Sequence, residues 1–165
     1  MARSRAAVVA TVAATLLGGV SAGWWLGGRA AATVPATVTH VVDGDTIVVA
    51  LRDGRSETVR LLGVDTPETV HPDKPVECFG PEASAYTHST LEGRQVYLDT
   101  DVEERDRYGR LLAYVTVDGK RFNDELLRLG YATFLVIPPN GEHARDLLSA
   151  ELDARAAGRG LWGAC

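Results

Sequence analysis

From residue 36 to residue 64 the chain reads as apolar, β-branched runs broken twice by Asp-Gly. Asp43-Gly44 and Asp53-Gly54 are two-residue hairpin signals, so the pattern predicts a three-stranded meander over 36–42, 45–51 and 56–64. Pro67, Pro72 and Pro75 mark a loop. Pro81 opens a helix over 81–91 that stops at Gly93. "QVYLDT" is a fourth strand, "DVEERDRYGR" a polar loop, and "LLAYVTV" a fifth strand ended by Asp118-Gly119. The period then changes. Phe122, Leu126 and Leu129 fall on one helical stripe closed by Gly130. "ATFLVIPPN" is extended and stopped by prolines, and Ala144, Leu147, Leu148, Leu152 and Ala156 mark a last helix before Gly158.

Five short strands, one helix inserted before the fourth, then two helices predict an α+β, mainly β domain. A five-stranded oligonucleotide/oligosaccharide-binding barrel with three helices fits that count. A mixed α+β sandwich is the alternative from pattern alone. No internal repeat is visible.

The first 32 residues follow a different rule. Arg3 and Arg5 precede an uncharged run from Ala6 to Leu26, with Trp24 and Trp25 at its far end. A basic start before an apolar run is an export signal. The run exceeds the ~7–15 residues of a usual signal core and approaches the ~20 that span a bilayer. The preferred reading is a hydrophobic helix that stays attached as an anchor, with the domain outside and Arg3 and Arg5 inside. Ala30, Ala31 and Ala32 offer cleavage sites for the alternative, a secreted product. The boundaries are then a signal or anchor over 1–32, a linker over 33–36 around Pro35, and a domain over 37–165.

Charge and cysteine usage narrow the partners. Without Arg3, Arg5 and Arg29 the chain keeps 14 of its 17 basic residues against all 22 acidic ones, a balance of about −8. That argues against strong, indiscriminate attraction to nucleic acid. Cys78 and Cys165 are the two cysteines, and in an exported chain they are expected to form a disulfide, with two free thiols as the alternative. His40, His71, His88 and His143 show no zinc-ligand spacing and read as surface histidines.

The chemistry sits where the third strand should be most apolar. "VRLLGVDTPET" carries Arg60 inside the run, then Asp65 and Glu68 around a proline. Buried charges are rare unless paired or ion-bound. Singly, "DGD" is a hairpin turn, "DTPE" a loop and "DRYGR" a solvated loop. Together, Asp45, Asp65 and Glu68 offer carboxylate oxygens, while Arg60 and Arg110 offer guanidinium forks. All flank strand ends that a small barrel brings together. Hard oxygen ligands suit Ca²⁺ or Mg²⁺, and arginine forks match phosphate oxygens. A metal, a carboxylate and two arginines describe phosphodiester hydrolysis. A regular strand would put Arg60 and Asp65 on opposite faces, and Gly63 is the place where a bulge or a bend could bring them together.

"DGDT" (43–46), "RLLGVDTPE" (60–68), "GPEASAYT" (80–87) and "DRYGRLLAYV" (106–115) resemble the staphylococcal-type thermonuclease family in order and spacing, over roughly residues 37–163. The resemblance implies the same barrel and a nuclease of DNA and RNA, a monomer that prefers single-stranded or frayed substrate. It implies Ca²⁺ held by Asp45, Asp65 and the backbone carbonyl of Thr66, with Asp43 beside it. It implies Glu68 as general base, Arg60 and Arg110 on the phosphate, and 3′-phosphate products. The segment before "PN" carries tyrosines that flank the nucleotide in the family; aligned from "PPN", those positions are Leu135 and Ile137. Lys74 is the single lysine of the loop after "DTPE". The competing class is a catalytically idle barrel that binds nucleic acid or a protein. Such a barrel is expected to lack Arg60, Glu68 or Arg110, and all three are present.

Overall fold

Alternating burial and two Asp-Gly turns build the first half of the molecule, for which a computed structural model describes residues 33–69 and 75–165. The expectations placed on residues 1–32 lie outside the described residues. β1 (Val34–Val41), β2 (Thr46–Leu51) and β3 (Ser56–Leu61) form an antiparallel meander. At the first turn the Asp43 carboxylate accepts the Asp45 N–H at 3.0 Å; at the second, Asp53 accepts the Arg55 N–H at 3.0 Å. These side chains mimic a backbone turn, which is why aspartate serves there. β1 begins at Val34, so residues 34–36, read as linker from Pro35, belong to the barrel. They pair with Leu98, Tyr97 and Val96, and a proline is tolerated so near a strand's start.

The strand expected over 56–64 divides in two. β3 ends at Leu61, and β4 (Gly63–Asp65) sets off in a new direction. Gly63 has φ of 75°, and a Cβ there would stand 2.3 Å from Leu147 Cδ1. A left-handed backbone under a packed leucine leaves room for glycine alone. Of the bulge or bend expected at Gly63, the structure has the bend.

α1 (Gly80–Leu91) follows, then β5 (Gln95–Asp99) and β6 (Leu111–Val117). β5 pairs antiparallel with β1 and β6, and β6 closes the sheet by parallel pairing with β3. The closed order is β1-β2-β3-β6-β5, the five-stranded barrel, and closure removes open edges. Ile47, Val49, Val59, Leu98 and Val115 fill its interior and are fully buried.

β7 (Lys120–Arg121) turns into α2 (Phe122–Leu129), whose apolar stripe packs on α3 (Ala144–Ala156). Between them β8 (Thr133–Leu135) pairs with β4, a second sheet that periodicity did not indicate. A short turn, α4 (Leu161–Ala164), ends at Cys165, which is bonded to Cys78 with Cα atoms 6.1 Å apart. Among the described residues no helix is long and apolar enough to cross a membrane.

Candidate active site

Asp45, at the start of the second hairpin arm, is buried and fully engaged. Oδ1 accepts from Thr46 Oγ1 at 3.2 Å and lies 3.2 Å from Arg60 Nε. Oδ2 accepts from the Thr66 backbone N–H at 2.8 Å and from Thr66 Oγ1 at 3.1 Å. Gly44 makes this approach possible, since a Cβ there would stand 2.7 Å from Thr66 Oγ1. Thr87 of α1 holds the same turn by donating to the Gly44 carbonyl at 2.7 Å.

Arg60 is the hub. Nη1 donates to the carbonyls of Leu61 and Val64, both at 2.8 Å, and Nη2 donates to Asp65 Oδ1 at 2.9 Å. The bend at Gly63 curls the chain around the guanidinium, so Arg60 and Asp65 meet although strand parity separates them. A half-buried cation is tolerable here because its donors are matched by carbonyls and carboxylates.

Carboxylates outnumber this cation. Burial first, then the charge of Asp45, push the Asp43 carboxyl above the ordinary aspartate value, against the backbone N–H groups of Asp45 and Thr46. Burial also pushes Asp65 up; Arg60 opposes this, and Asp45, Glu77 and Glu68 add to it. Surplus negative charge on hard oxygens fits a divalent cation such as Ca²⁺. The side chains do not yet converge on one point. Among the described residues no three His, Cys, Asp or Glu side chains form a metal-ready group, and Asp45 and Asp65 both turn to Arg60. The oxygen donors are of the type that suits a hard cation, and Asp45, Asp65 and the Thr66 carbonyl are the groups that would hold one, with Asp43 beside them.

Glu68 stands three residues past Asp65. Its Oε1 accepts the Thr69 N–H at 2.9 Å, and its backbone is tied to Glu77 on both sides. Arg110 enters at the head of β6. Its Nε donates to Asp106 Oδ2 at 2.7 Å, while Asp106 Oδ1 accepts the N–H groups of Tyr108 and Arg110, both at 2.9 Å. Burial works against ionisation of Asp106, but these bonds outweigh it and hold its carboxyl below the ordinary range. The Tyr108 ring, 68% exposed, carries the Arg107 guanidinium at 4.7 Å and that of Arg110 at 5.5 Å.

The parallel pairing of β3 with β6 sets Arg60 opposite Leu112, two residues from Arg110. Both arginines consequently line one open cavity of about 560 Å³. Leu61, Leu62, Val64 and Leu112 contribute apolar surface to it, Leu135 and Ile137 also line it, and Arg105, Arg107 and Tyr108 add cations and a ring. Asp45, Asp65 and Glu68 lie outside this lining, and Arg60 joins the first two to it. Tyr131 is stacked between Phe79 and Tyr86, with ring centroids 5.5 and 4.4 Å away, and Phe134 packs against the core. Neither ring lines the cavity, whereas Leu135 and Ile137 do.

Sequence reasoning passed over Asp106, Tyr108 and Glu77. Asp106 was legible as an acid four residues before Arg110 in a turn-forming "DRYG". Tyr108 was legible as an aromatic between arginines. Glu77 carried no signal, because its partner lies nine residues back across a proline-rich loop.

This is a five-stranded barrel with two arginines on one cavity, one of them bonded to two aspartates. Residues 58–164 match the family described as "Staphylococcal nuclease homologue", and the chain belongs to that family. It is 41% identical over 125 residues to the Thermonuclease of Staphylococcus hyicus, covering 76% of this chain and 73% of that one. It is 42% identical over 125 residues to the Thermonuclease of Staphylococcus intermedius, covering 76% and 74%. Similarity extends at 38% identity over 131 residues to Endonuclease YncB of Bacillus subtilis (strain 168), covering 78% of this chain and 62% of that protein.

Proposed function

We propose that this protein is a Ca²⁺-dependent nuclease that hydrolyses DNA and RNA to 3′-phosphate products outside the membrane. The observation that carries the reading is the placement of Arg60 and Arg110 on one cavity, with Arg60 also bound to Asp45 and Asp65. Two guanidinium forks hold the phosphodiester and stabilise the charge that grows on its equatorial oxygens. Glu68 takes a proton from a water that attacks phosphorus in line. The bond to the 5′-oxygen breaks, Arg110 stabilises that leaving oxygen, and the phosphate stays on the 3′ side. Asp45, Asp65 and the Thr66 carbonyl would hold Ca²⁺, which when bound would supply Lewis-acid stabilisation of phosphoryl charge. No 2′-hydroxyl takes part, so both nucleic acids are substrates. Digestion of single-stranded DNA with Ca²⁺ and with chelator tests the reading. Hydrolysis that needs Ca²⁺ and leaves 3′-phosphate ends is expected; no hydrolysis with any divalent metal would favour the idle binding barrel.

The export reading rests on the leader, and the Cys78–Cys165 bridge supports an oxidising compartment. N-terminal sequencing of the membrane fraction separates an attached anchor from a product released near Thr33.

Nucleotide binding is weak by the same reasoning. Leu135 and Ile137 are 38% and 67% exposed on the cavity where an aromatic ring would meet a base. A base–aromatic stack is worth about 1–3 kcal/mol, roughly 5- to 150-fold in affinity. The arginines and Glu68 are untouched, so Leu135→Tyr is expected to lower KM for single-stranded DNA by about tenfold at constant kcat. An unchanged KM would mean that bases do not lie along this wall.

A further inference from the structure

The loop that carries Glu68 is gripped by the segment that leads into α1. Glu77 meets Glu68 twice: its Oε2 accepts the Glu68 N–H at 3.0 Å, and its own N–H donates to the Glu68 carbonyl at 2.9 Å. Three residues on, Gly80 packs so closely that a Cβ would stand 2.8 Å from Thr69 Cγ2 and 3.1 Å from the carbonyl oxygens of Glu68 and Pro67. Cys78, between these contacts, is bonded to Cys165. The far end of that bond is anchored too. Leu161 N–H donates to the Gly130 carbonyl at 2.9 Å, and a Cβ at Gly130 would stand 2.1 Å from the Arg159 carbonyl oxygen.

We infer that Glu77 is a positioning residue for the general base Glu68, and that the Cys78–Cys165 bridge holds Glu77 in place. The inference rests on the nuclease reading for the role of Glu68. A general base must keep its carboxylate within hydrogen-bond reach of the attacking water, and a displacement of about 1 Å costs roughly 100-fold in rate. Glu68 lies past the end of β4, where no ladder holds its main chain. The two bonds to Glu77 take over that task. With the main chain held, the Thr69 N–H selects the position of Oε1. Glu77 brings a further negative charge to a site already rich in carboxylates. A residue that merely filled space would not need that charge; an acceptor for a backbone N–H uses it, since charge-assisted bonds are the stronger ones.

The test compares Glu77→Ala, Glu77→Gln and the pair Cys78→Ser/Cys165→Ser with the unaltered protein. Hydrolysis of single-stranded DNA is read as separate kcat and KM, and amide hydrogen exchange is read at Glu68. Glu77→Ala is expected to lower kcat about tenfold or more, with KM moving less than about twofold and the Glu68 amide losing protection. Glu77→Gln keeps an acceptor oxygen and is expected to recover most of both. The cysteine pair is expected to show faster exchange at Glu68 and a severalfold lower kcat, although it leaves the substrate cavity untouched. Unchanged kcat with a protected Glu68 amide in Glu77→Ala overturns the positioning role. Unchanged exchange at Glu68 in the cysteine pair overturns the part given to the bridge. An unaltered protein that hydrolyses nothing overturns the nuclease reading instead, and exchange at Glu68 then still decides whether Glu77 and the bridge hold this loop.

Discussion

Arg110→Ala is expected to lower kcat on single-stranded DNA by about 10²–10³-fold while the protein stays folded. The size follows from removing one preorganised donor aimed at charge that develops in the transition state. The intact fold follows from where Arg110 sits. Its guanidinium is part-exposed at the cavity, and its carboxylate partner among the described residues, Asp106, keeps the backbone N–H groups of Tyr108 and Arg110 when the side chain is gone. No buried charge is orphaned. Glu68→Gln, which keeps shape and loses basicity, is expected to fall by several orders as well. Arg60 is a poorer probe, although it faces the same cavity. Its loss would strand Asp45, a buried carboxylate, and breaking such a pair costs about 3–5 kcal/mol of stability. Turnover near the unaltered level in Arg110→Ala, with circular dichroism showing the native fold, would sink the catalytic assignment.

Loss of the Cys78–Cys165 bridge is expected to lower stability by about 4–5 kcal/mol. The bridge joins residues 87 apart. In the chain-entropy account, opening a loop of that size frees the unfolded chain by this amount. For a domain of this length the loss corresponds to a fall of roughly 15 °C in Tm. Urea unfolding of the oxidised protein against Cys78→Ser/Cys165→Ser measures it. The midpoint is expected to drop, and a steeper slope without the bridge would report an unfolded state less compact than that of the bridged protein. Two titratable thiols in the oxidised, denatured protein would remove the premise.

Much of the barrel was legible because its signals are local. Hairpins at Asp43-Gly44 and Asp53-Gly54 depend on turn chemistry within four residues, and the stripe of Phe122, Leu126 and Leu129 depends on the helical period alone. Arg60, Asp65 and Glu68 stood out for a related reason: charge inside an apolar strand violates burial unless something compensates it. Strand parity pointed to Gly63 as the place for a bulge or a bend, and the left-handed turn beneath Leu147 is the bend.

Partner choice was not legible, because it is set by contacts far apart in the chain. Arg110 joins Arg60 only through the parallel pairing of β3 with β6, and nothing near either residue encodes that register. The same holds for β4 with β8 and for Glu77 on the Glu68 backbone. By itself the sequence determined which segments become strands and helices and which side chains carry charge into the barrel wall. Closure of the barrel decided which of those charges meet, since local periodicity is blind to the long-range burial that rewards one pairing over its alternatives.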